Sequence, residues 1–189
     1  MKIIELKNKV LASSSFDCSI IFYIKDNLIY KKDYQIPTKG VCFNIIQTKD
    51  NEICYSEDND TICFYDLLER KVKASIPNIS TCNMIMITKD LLVITGKNKI
   101  SIINVNNYKL IRIIDVPGAD NIRGLCLLNQ NMLLTGDFEG VIRQWRIDGD
   151  NLILVSKKVK AHNNWIYGLV NLGNGNISSS SRDKTIKIW

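Results

Sequence analysis

The sequence predicts an all-β protein in which one small antiparallel sheet is repeated along the chain. Two observations support this prediction. Separate segments of the chain align with each other without a gap, and within each copy apolar and polar residues alternate, while Asn, Asp, Gly and Lys gather between the runs. The composition fits a globular fold, because 46% of the 189 residues are hydrophobic and 23% are charged.

The repeat is clearest in the second half of the chain. Residues 121–145 align with residues 165–189 without a gap, and residues 1–23 align with the first of these copies in the same way. Two weaker copies lie between them, so that a copy recurs about every 40 residues. The residues that close the five copies are Tyr23, Tyr65, Ile103, Trp145 and Trp189.

Each copy contains runs with the alternation of a β-strand. In the last copy these runs cover residues 151–157, 166–171, 176–181 and 185–189. The joins between the runs are rich in Gly, Asn and Asp, which favour hairpins because Gly and Asn accept positive φ at low cost. A four-stranded antiparallel sheet that recurs at this spacing is typical of one blade of a β-propeller.

The ending SRDKTIKIW carries a more specific pattern. His162 lies 21 residues before Asp183, and Asp183 lies 6 residues before Trp189. With this spacing the chain resembles the WD-repeat (tryptophan-aspartate repeat) β-propeller family. The resemblance covers essentially the whole chain, and it is specific in the last repeat, good in the first and fourth, and loose in the second and third.

Family rings most often hold seven blades, so the resemblance implies an incomplete ring of about five four-stranded antiparallel blades, the last of which lacks its outer strand. We expect residues 1–189 to form a single propeller domain, with repeats ending near 23, 65, 103, 145 and 189. An open ring leaves apolar blade faces and a strand edge in water, which invites association. We favour completion of the ring by further sequence of a longer protein; self-association and completion by another protein are the alternatives.

The resemblance also implies a structural hydrogen-bond network in the last blade. In the family, a His before the first strand, a Ser or Thr of the second strand, an Asp of the hairpin turn and the Trp of the third strand form a hydrogen-bonded chain. A buried indole N–H and an imidazole both need partners, so a satisfied network rigidifies the blade. Carried over to this sequence, the network residues are His162, Ser179 or Ser181, Asp183 and Trp189.

The other repeats depart from this pattern. In the fourth repeat, Gly118 stands at the His position and Glu139 at the Asp position. In the second repeat, Asn59 takes the Asp position. We therefore expect the first four blades to be held together chiefly by packing.

A further implication of the resemblance is that partners contact the rim of the ring. In the family, the contact positions are those that enter each first strand and the one just before the turn acid. Aromatic and Arg residues suit such positions because they anchor interfaces. The alternative for Phe43 and Tyr167 is packing between blades, and the pair that we favour as a contact is Trp165 with Arg182. The expected rim residues are Trp165, Tyr167, Asn121, Arg123 and Phe43 at the strand entrances, and Arg182, Phe138 and Phe16 before the turn acid.

The sequence shows no motif for catalysis or for metal binding. His162 is the single histidine, and a triad with Ser179 would lack the Gly-x-Ser-x-Gly elbow. No P-loop, dinucleotide-binding, zinc-protease or EF-hand string occurs. We therefore expect no enzyme activity, no catalytic residue, no cofactor and no metal site.

The cysteine pattern and the length of the apolar runs indicate the cellular location of the protein. The six cysteines form no C-x-x-C pair and lie among Ile, Phe and Leu, which is typical of reduced, buried thiols. Lysines interrupt the apolar residues at the start, and no apolar run is long enough for a membrane span. We expect a cytoplasmic location, with the nucleus as the alternative.

The charge pattern is compatible with more than one function. The net charge is +6. Three basic clusters fall on or beside predicted outer strands, where lysines protect an exposed edge: Lys157-Lys158-Lys160, Lys71 with Lys73, and Lys31-Lys32. We predict a non-enzymatic scaffold that binds other proteins, with nucleic acid not the expected partner. One alternative is a module that binds nucleic acid or acidic lipid through the basic surface, although the aromatic residues are not interleaved with the lysines. The other is a substrate-recognition subunit of a ubiquitin ligase, for which the expected Trp-Asp-x-Arg is missing at residues 65–68 and 145–148.

Overall fold

The computed structural model describes residues 2–189. Their regular structure consists of β-strands, so the all-β prediction is confirmed. The chain divides into two compact units, one ending at Thr81 and the other beginning at Cys82. Residues 2–189 include no helix with the length and apolar character that a membrane crossing requires.

The first unit contains two four-stranded sheets, and in each the strands pair antiparallel in chain order. The second strands and the third strands supply most of the core, where Ile20, Phe22 and Ile53 are fully buried. The first sheet consists of β1 (Ile3–Glu5), β2 (Leu11–Ser14), β3 (Ser19–Asp26) and β4 (Ile29–Pro37), and the second of β5 (Cys42–Lys49), β6 (Glu52–Glu57), β7 (Thr61–Asp66) and β8 (Lys71–Ile76).

The second unit contains two four-stranded sheets and one three-stranded sheet, all antiparallel. The third sheet consists of β9 (Asn83–Met86), β10 (Leu91–Thr95), β11 (Lys99–Asn104) and β12 (Lys109–Asp115). The fourth consists of β13 (Gly124–Asn129), β14 (Met132–Gly136), β15 (Ile142–Asp148) and β16 (Asn151–Lys158), and the fifth of β17 (Ile166–Gly173), β18 (Asn176–Ser181) and β19 (Ile186–Ile188).

Sequence and structure agree closely in the last copy. The predicted run 176–181 is β18 itself, and the predicted run 166–171 extends by two residues in β17. Asn174 and Gly175, which join these strands, both have positive φ (52° and 82°), as the hairpin chemistry predicts. The last predicted run is shorter than expected, because β19 ends at Ile188 and leaves Trp189 just outside the strand.

The closing residue of each four-stranded sheet lies at an irregularity that the sequence did not predict. Wherever a third strand pairs with an outer strand, the register shifts by a β-bulge next to the closing residue. A bulge bends the strand locally and increases its twist. The four closing residues at these bulges are Tyr23, Tyr65, Ile103 and Trp145.

The fourth and fifth sheets pack face to face. Cys126, Leu134 and Ile142 of the fourth sheet belong to one buried cluster with Ile166 and Leu169 of the fifth. These contacts place the start of β17 directly beside the turn that follows β14. The two sheets thereby bring their rim residues together.

Candidate functional site

The network implied for the last blade has a defined geometry in the fifth sheet. His162, which is 1% exposed, lies after β16 and faces β18. Its Nδ1 is 2.8 Å from Oδ2 of Asp183, and its Nε2 is 2.6 Å from Oγ of Ser179. Nε1 of Trp189 donates to the same Ser179 oxygen at 2.9 Å. The four side chains form one continuous chain of hydrogen bonds.

The chain of bonds fits a neutral imidazole. If Nδ1 donates to the Asp183 carboxylate, Nε2 accepts the hydroxyl proton of Ser179, and the Ser179 oxygen stays open to the indole N–H of Trp189. Hydrogen bonds also lower the pKa of Asp183 below its usual range; the bond from the Thr185 hydroxyl is the largest cause, and the bond from His162 adds to it. The carboxylate therefore stays ionised where it orients His162.

Ser181 lies outside this chain. Its hydroxyl donates to the backbone carbonyl of Asn164 at 3.1 Å and accepts from the backbone N–H of Asp183 at 3.1 Å. Of the two serines that the sequence left open, the structure brings only Ser179 to both His162 and Trp189. Ser181 instead ties the β18–β19 turn to the segment before β17.

The fourth sheet contains buried polar bonds that the sequence reasoning missed. Nε1 of Trp145 donates to Oγ1 of Thr135 at 2.9 Å, which matches the indole-to-hydroxyl bond of the fifth sheet. Asp137 (0% exposed) and Arg143 (5% exposed) form a buried ion pair beside it. The expectation that this sheet is held chiefly by packing is therefore incomplete. Gly118 stands where the fifth sheet has His162, so this sheet has no imidazole. The Asp137–Arg143 pair is its buried charged contact instead.

Five of the expected rim residues lie together at the junction of the fourth and fifth sheets; we call them the rim cluster. Phe138 stacks on Trp165 with ring centroids 4.2 Å apart and an interplanar angle of 3°. Cζ of Arg182 is also 4.2 Å from the Trp165 ring centroid. A ring and a guanidinium at that distance cannot share one face, so Trp165 lies between Phe138 and Arg182. Tyr167 meets Phe138 and Trp165 edge-on, and Cζ of Arg123 is 5.6 Å from the Tyr167 ring centroid.

Backbone hydrogen bonds fix the positions of these side chains. The N–H of Ile166 donates to the carbonyl of Asp137 at 3.0 Å, which sets Phe138 next to Trp165. The N–H of Arg182 donates to the carbonyl of Trp165 at 2.9 Å, which sets the guanidinium over the indole. The cluster is therefore part of the sheet framework and does not depend on a free loop.

The remaining expected rim residues lie elsewhere. In the first unit, Phe16 and Phe43 make an edge-to-face contact at 5.6 Å, and Phe16 remains exposed. In the second unit, the side-chain amide of Asn121 donates to the Asp120 carboxylate at 2.9 Å. Tyr167, for which packing between blades was the alternative, keeps 41% of its surface exposed.

The lysines on the outer strands are mostly engaged with neighbouring groups. Lys71 pairs with Glu69 and Lys73 with Asp66, at 2.9 and 2.6 Å. Nζ of Lys158 lies 3.9 Å from the ring centroid of Trp189, a cation–π contact that the sequence did not reveal. Within residues 2–189, no group of His, Cys, Asp and Glu side chains is arranged to hold a metal ion.

Comparisons with known proteins show what the chain is similar to. Residues 154–189 match the family model "WD domain, G-beta repeat". A solved structure described as "Crystal Structure of Mitotic Checkpoint Complex" contains a chain that shares the fold, with a TM-score of 0.81 over 95% of this chain at 13% sequence identity. This chain spans 60% of the length of that one. A comparison with curated proteins found no match.

The fold is widespread, since 1349 chains of solved structures match it, and so it points to no particular partner. The matched WD repeat in residues 154–189, the repeated antiparallel sheets and the shared fold show that the chain is similar to WD-repeat β-propellers.

Proposed function

We propose that this protein is a non-enzymatic scaffold that binds protein partners through the rim cluster. The observation that supports the proposal is the layered stack of Phe138, Trp165 and Arg182 beside Tyr167 and Arg123. Arg182, Arg123 and Tyr167 are exposed while backbone bonds hold the stack in place. Because these side chains are ordered before a partner arrives, binding loses little side-chain entropy.

The alternatives have less support. A platform for nucleic-acid bases needs a free aromatic face, and both faces of Trp165 are already covered. The engaged lysines Lys71 and Lys73 reduce the basic surface that nucleic acid or acidic lipid would use. For a ubiquitin-ligase subunit, the arginine expected after Tyr65-Asp66 is Leu68, and the Asp66 carboxylate is bound to Lys73.

A site-specific photocrosslinker tests the scaffold proposal. Benzoylphenylalanine in place of Tyr167 is expected to crosslink a protein partner in cell extract, whereas the same group in place of Leu28, which is 93% exposed, is not. Mass spectrometry of the crosslinked bands reads out the result. The Trp165→Ala change removes the middle of the stack and should abolish the Tyr167 crosslink. A crosslink that persists in Trp165→Ala, or that is equal at Leu28, contradicts a role for the rim cluster.

We also propose that the fifth sheet is covered by a further blade in the working protein, as part of a longer ring. Val170 and Ile186 are 57% and 74% exposed, whereas their equivalents in the fourth sheet, Cys126 and Ile142, are 7% and 6% exposed beneath the fifth sheet. An aliphatic face of this kind favours association. Light scattering should detect concentration-dependent self-association of residues 1–189 that Ile186→Lys reduces; a monomer at all concentrations contradicts the proposal.

The cysteines support a location in a reducing compartment. All six are free thiols, and burial raises the pKa of Cys42 to about 12 and that of Cys126 to about 11. Thiols with such a high pKa stay protonated and react slowly at neutral pH. We propose the cytoplasm, with the nucleus as the alternative, and microscopy of a tagged protein would distinguish them from a secreted protein.

A further inference from the structure

Of the five arginines of the second unit, two are paired with an acid. Arg143 pairs with Asp137, and Arg112 pairs with Asp150. Within residues 2–189, neither Arg123 nor Arg182 forms a salt bridge. Both are exposed, and both guanidinium groups lie over aromatic rings.

The stacked geometry determines what these guanidinium groups can still bind. The face of a guanidinium that lies on a ring uses no N–H donor, because its five donors point outward in its own plane. Arg182 over Trp165 and Arg123 over Tyr167 therefore keep their donor forks available. Stacking also restricts the rotamers of both side chains, so that little freedom is lost when an anion binds. Carboxylates match such a fork with two parallel hydrogen bonds.

The acidic groups of the same chain that lie next to the cluster in sequence form no salt bridge with its two arginines. Asp183, which follows Arg182, bonds to His162 and Thr185 instead. The Asp120 carboxylate accepts from the Asn121 amide, and Asp137 is committed to Arg143. Glu139 is exposed and forms no salt bridge with either rim arginine. The net charge of +6 adds a long-range attraction for anions.

We propose that the rim cluster binds an acidic peptide segment of its protein partner, with Arg123 and Arg182 each binding a Glu or Asp carboxylate. This inference rests on the scaffold function proposed above and specifies the chemistry of the partner. Tyr167, whose ring lies under Arg123 and meets Trp165 edge-on, provides the apolar surface under the peptide backbone. An extended peptide suits the site better than a nucleic acid, because both faces of Trp165 are covered and no base can stack there.

Fluorescence anisotropy tests the proposal with a short fluorescein-labelled peptide of alternating Glu and Ser. The same peptide with Gln in place of Glu should bind at least about tenfold more weakly. Arg182→Gln and Arg123→Gln should each weaken binding of the Glu peptide about tenfold, since each removes a charged, two-point hydrogen bond. Arg182→Lys keeps the charge but loses the fork and should lie in between. Arg146→Gln is the matched control, because Arg146 is an exposed arginine of β15 outside the cluster, and it should change binding less than about twofold.

Several outcomes would overturn the proposal. Equal losses for Arg182→Gln and Arg146→Gln would show that only net charge attracts the peptide. Binding that is about tenfold tighter when the serines are phosphorylated would assign the site to phosphate. Binding of a labelled oligouridine that depends on the two arginines, without binding of the Glu peptide, would assign it to nucleic acid. If the arginine variants retain the crosslink from position 167 but the Glu peptide does not bind, the scaffold function stands and the acidic chemistry is wrong.

Discussion

The fourth and fifth sheets share one hydrogen bond and differ in what surrounds it. In both, the indole that closes the repeat donates to a hydroxyl on the neighbouring strand: Trp145 to Thr135, and Trp189 to Ser179, each at 2.9 Å. In the fifth sheet the hydroxyl also meets the imidazole of His162. The fourth sheet has no imidazole, yet its hydroxyl and indole occupy the same places.

The difference lies in how each sheet uses its other buried polar positions. The fourth sheet holds the ion pair of Asp137 and Arg143, while the equivalent residues of the fifth, Ser181 and Lys187, bind backbone carbonyls. One sheet thus places its charged pair inside, and the other places its ionised group, Asp183, at the turn. A repeat that departs from the family motif can still have a satisfied polar interior.

The largest effect is expected from breaking the buried pair of the fourth sheet. Asp137→Ala leaves the Arg143 guanidinium buried without a counter-charge and should lower the free energy of unfolding by about 3–5 kcal/mol. Urea unfolding followed by tryptophan fluorescence measures this. The double change Asp137→Asn with Arg143→Met removes both charges together, keeps an oxygen that accepts from the backbone N–H groups of Glu139 and Val141, and should restore most of the loss. A single variant as stable as the wild type would show that the pair does not stabilise this sheet.

A smaller effect is expected from breaking the network of the fifth sheet. His162→Ala removes the imidazole that bonds to both the Ser179 hydroxyl and the Asp183 carboxylate and should lower the free energy of unfolding by about 1–3 kcal/mol. Hydrogen exchange should show the loss in β17–β19 and unchanged protection in β14 and β15. Ser181→Ala is the matched control, since Ser181 bonds only to backbone groups, and it should lose about 0.5 kcal/mol. Unfolding of His162→Ala at the wild-type temperature would contradict a stabilising network.

The fourth and fifth sheets also show which structural features can be predicted from the sequence. The repeated sheets were predictable because a period-two pattern and turn residues recur at one spacing, and His162, Asp183 and Trp189 were found because that spacing is specific. The pair of Asp137 and Arg143 was missed, because an acid and an arginine on adjacent strands are ordinary at the surface and nothing local marks these positions as buried. The copy contains other polar residues, such as Arg123, Glu139 and Gln144, and the sequence does not separate the buried pair from them.

The rim cluster was only partly predictable for a related reason. The resemblance selected Trp165, Arg182 and Phe138 one by one, but Phe138 belongs to the fourth sheet and Trp165 to the fifth. Their stacking depends on how neighbouring sheets pack, which the bond between Ile166 and Asp137 fixes. Contacts within one repeat follow from its own pattern, whereas contacts between repeats require the packing geometry.

The smallest expected effect is a pH dependence of stability that comes from Asp183. The charge of Asp183 lies at a turn, whereas the charges of Asp137 and Arg143 lie in the interior. The pKa of Asp183 is lowered in the folded state, first by the Thr185 hydroxyl and then by His162. A carboxyl with a lowered folded pKa contributes stability that is fully present above its unfolded pKa, about 3.9, and is lost as the pH falls towards the folded pKa. Melting temperatures of wild type and Asp183→Asn should therefore differ at neutral pH, with the wild type higher, and converge as the solution is acidified below about pH 4. A difference that stays constant down to acidic pH would mean that ionisation of Asp183 does not support the fifth sheet.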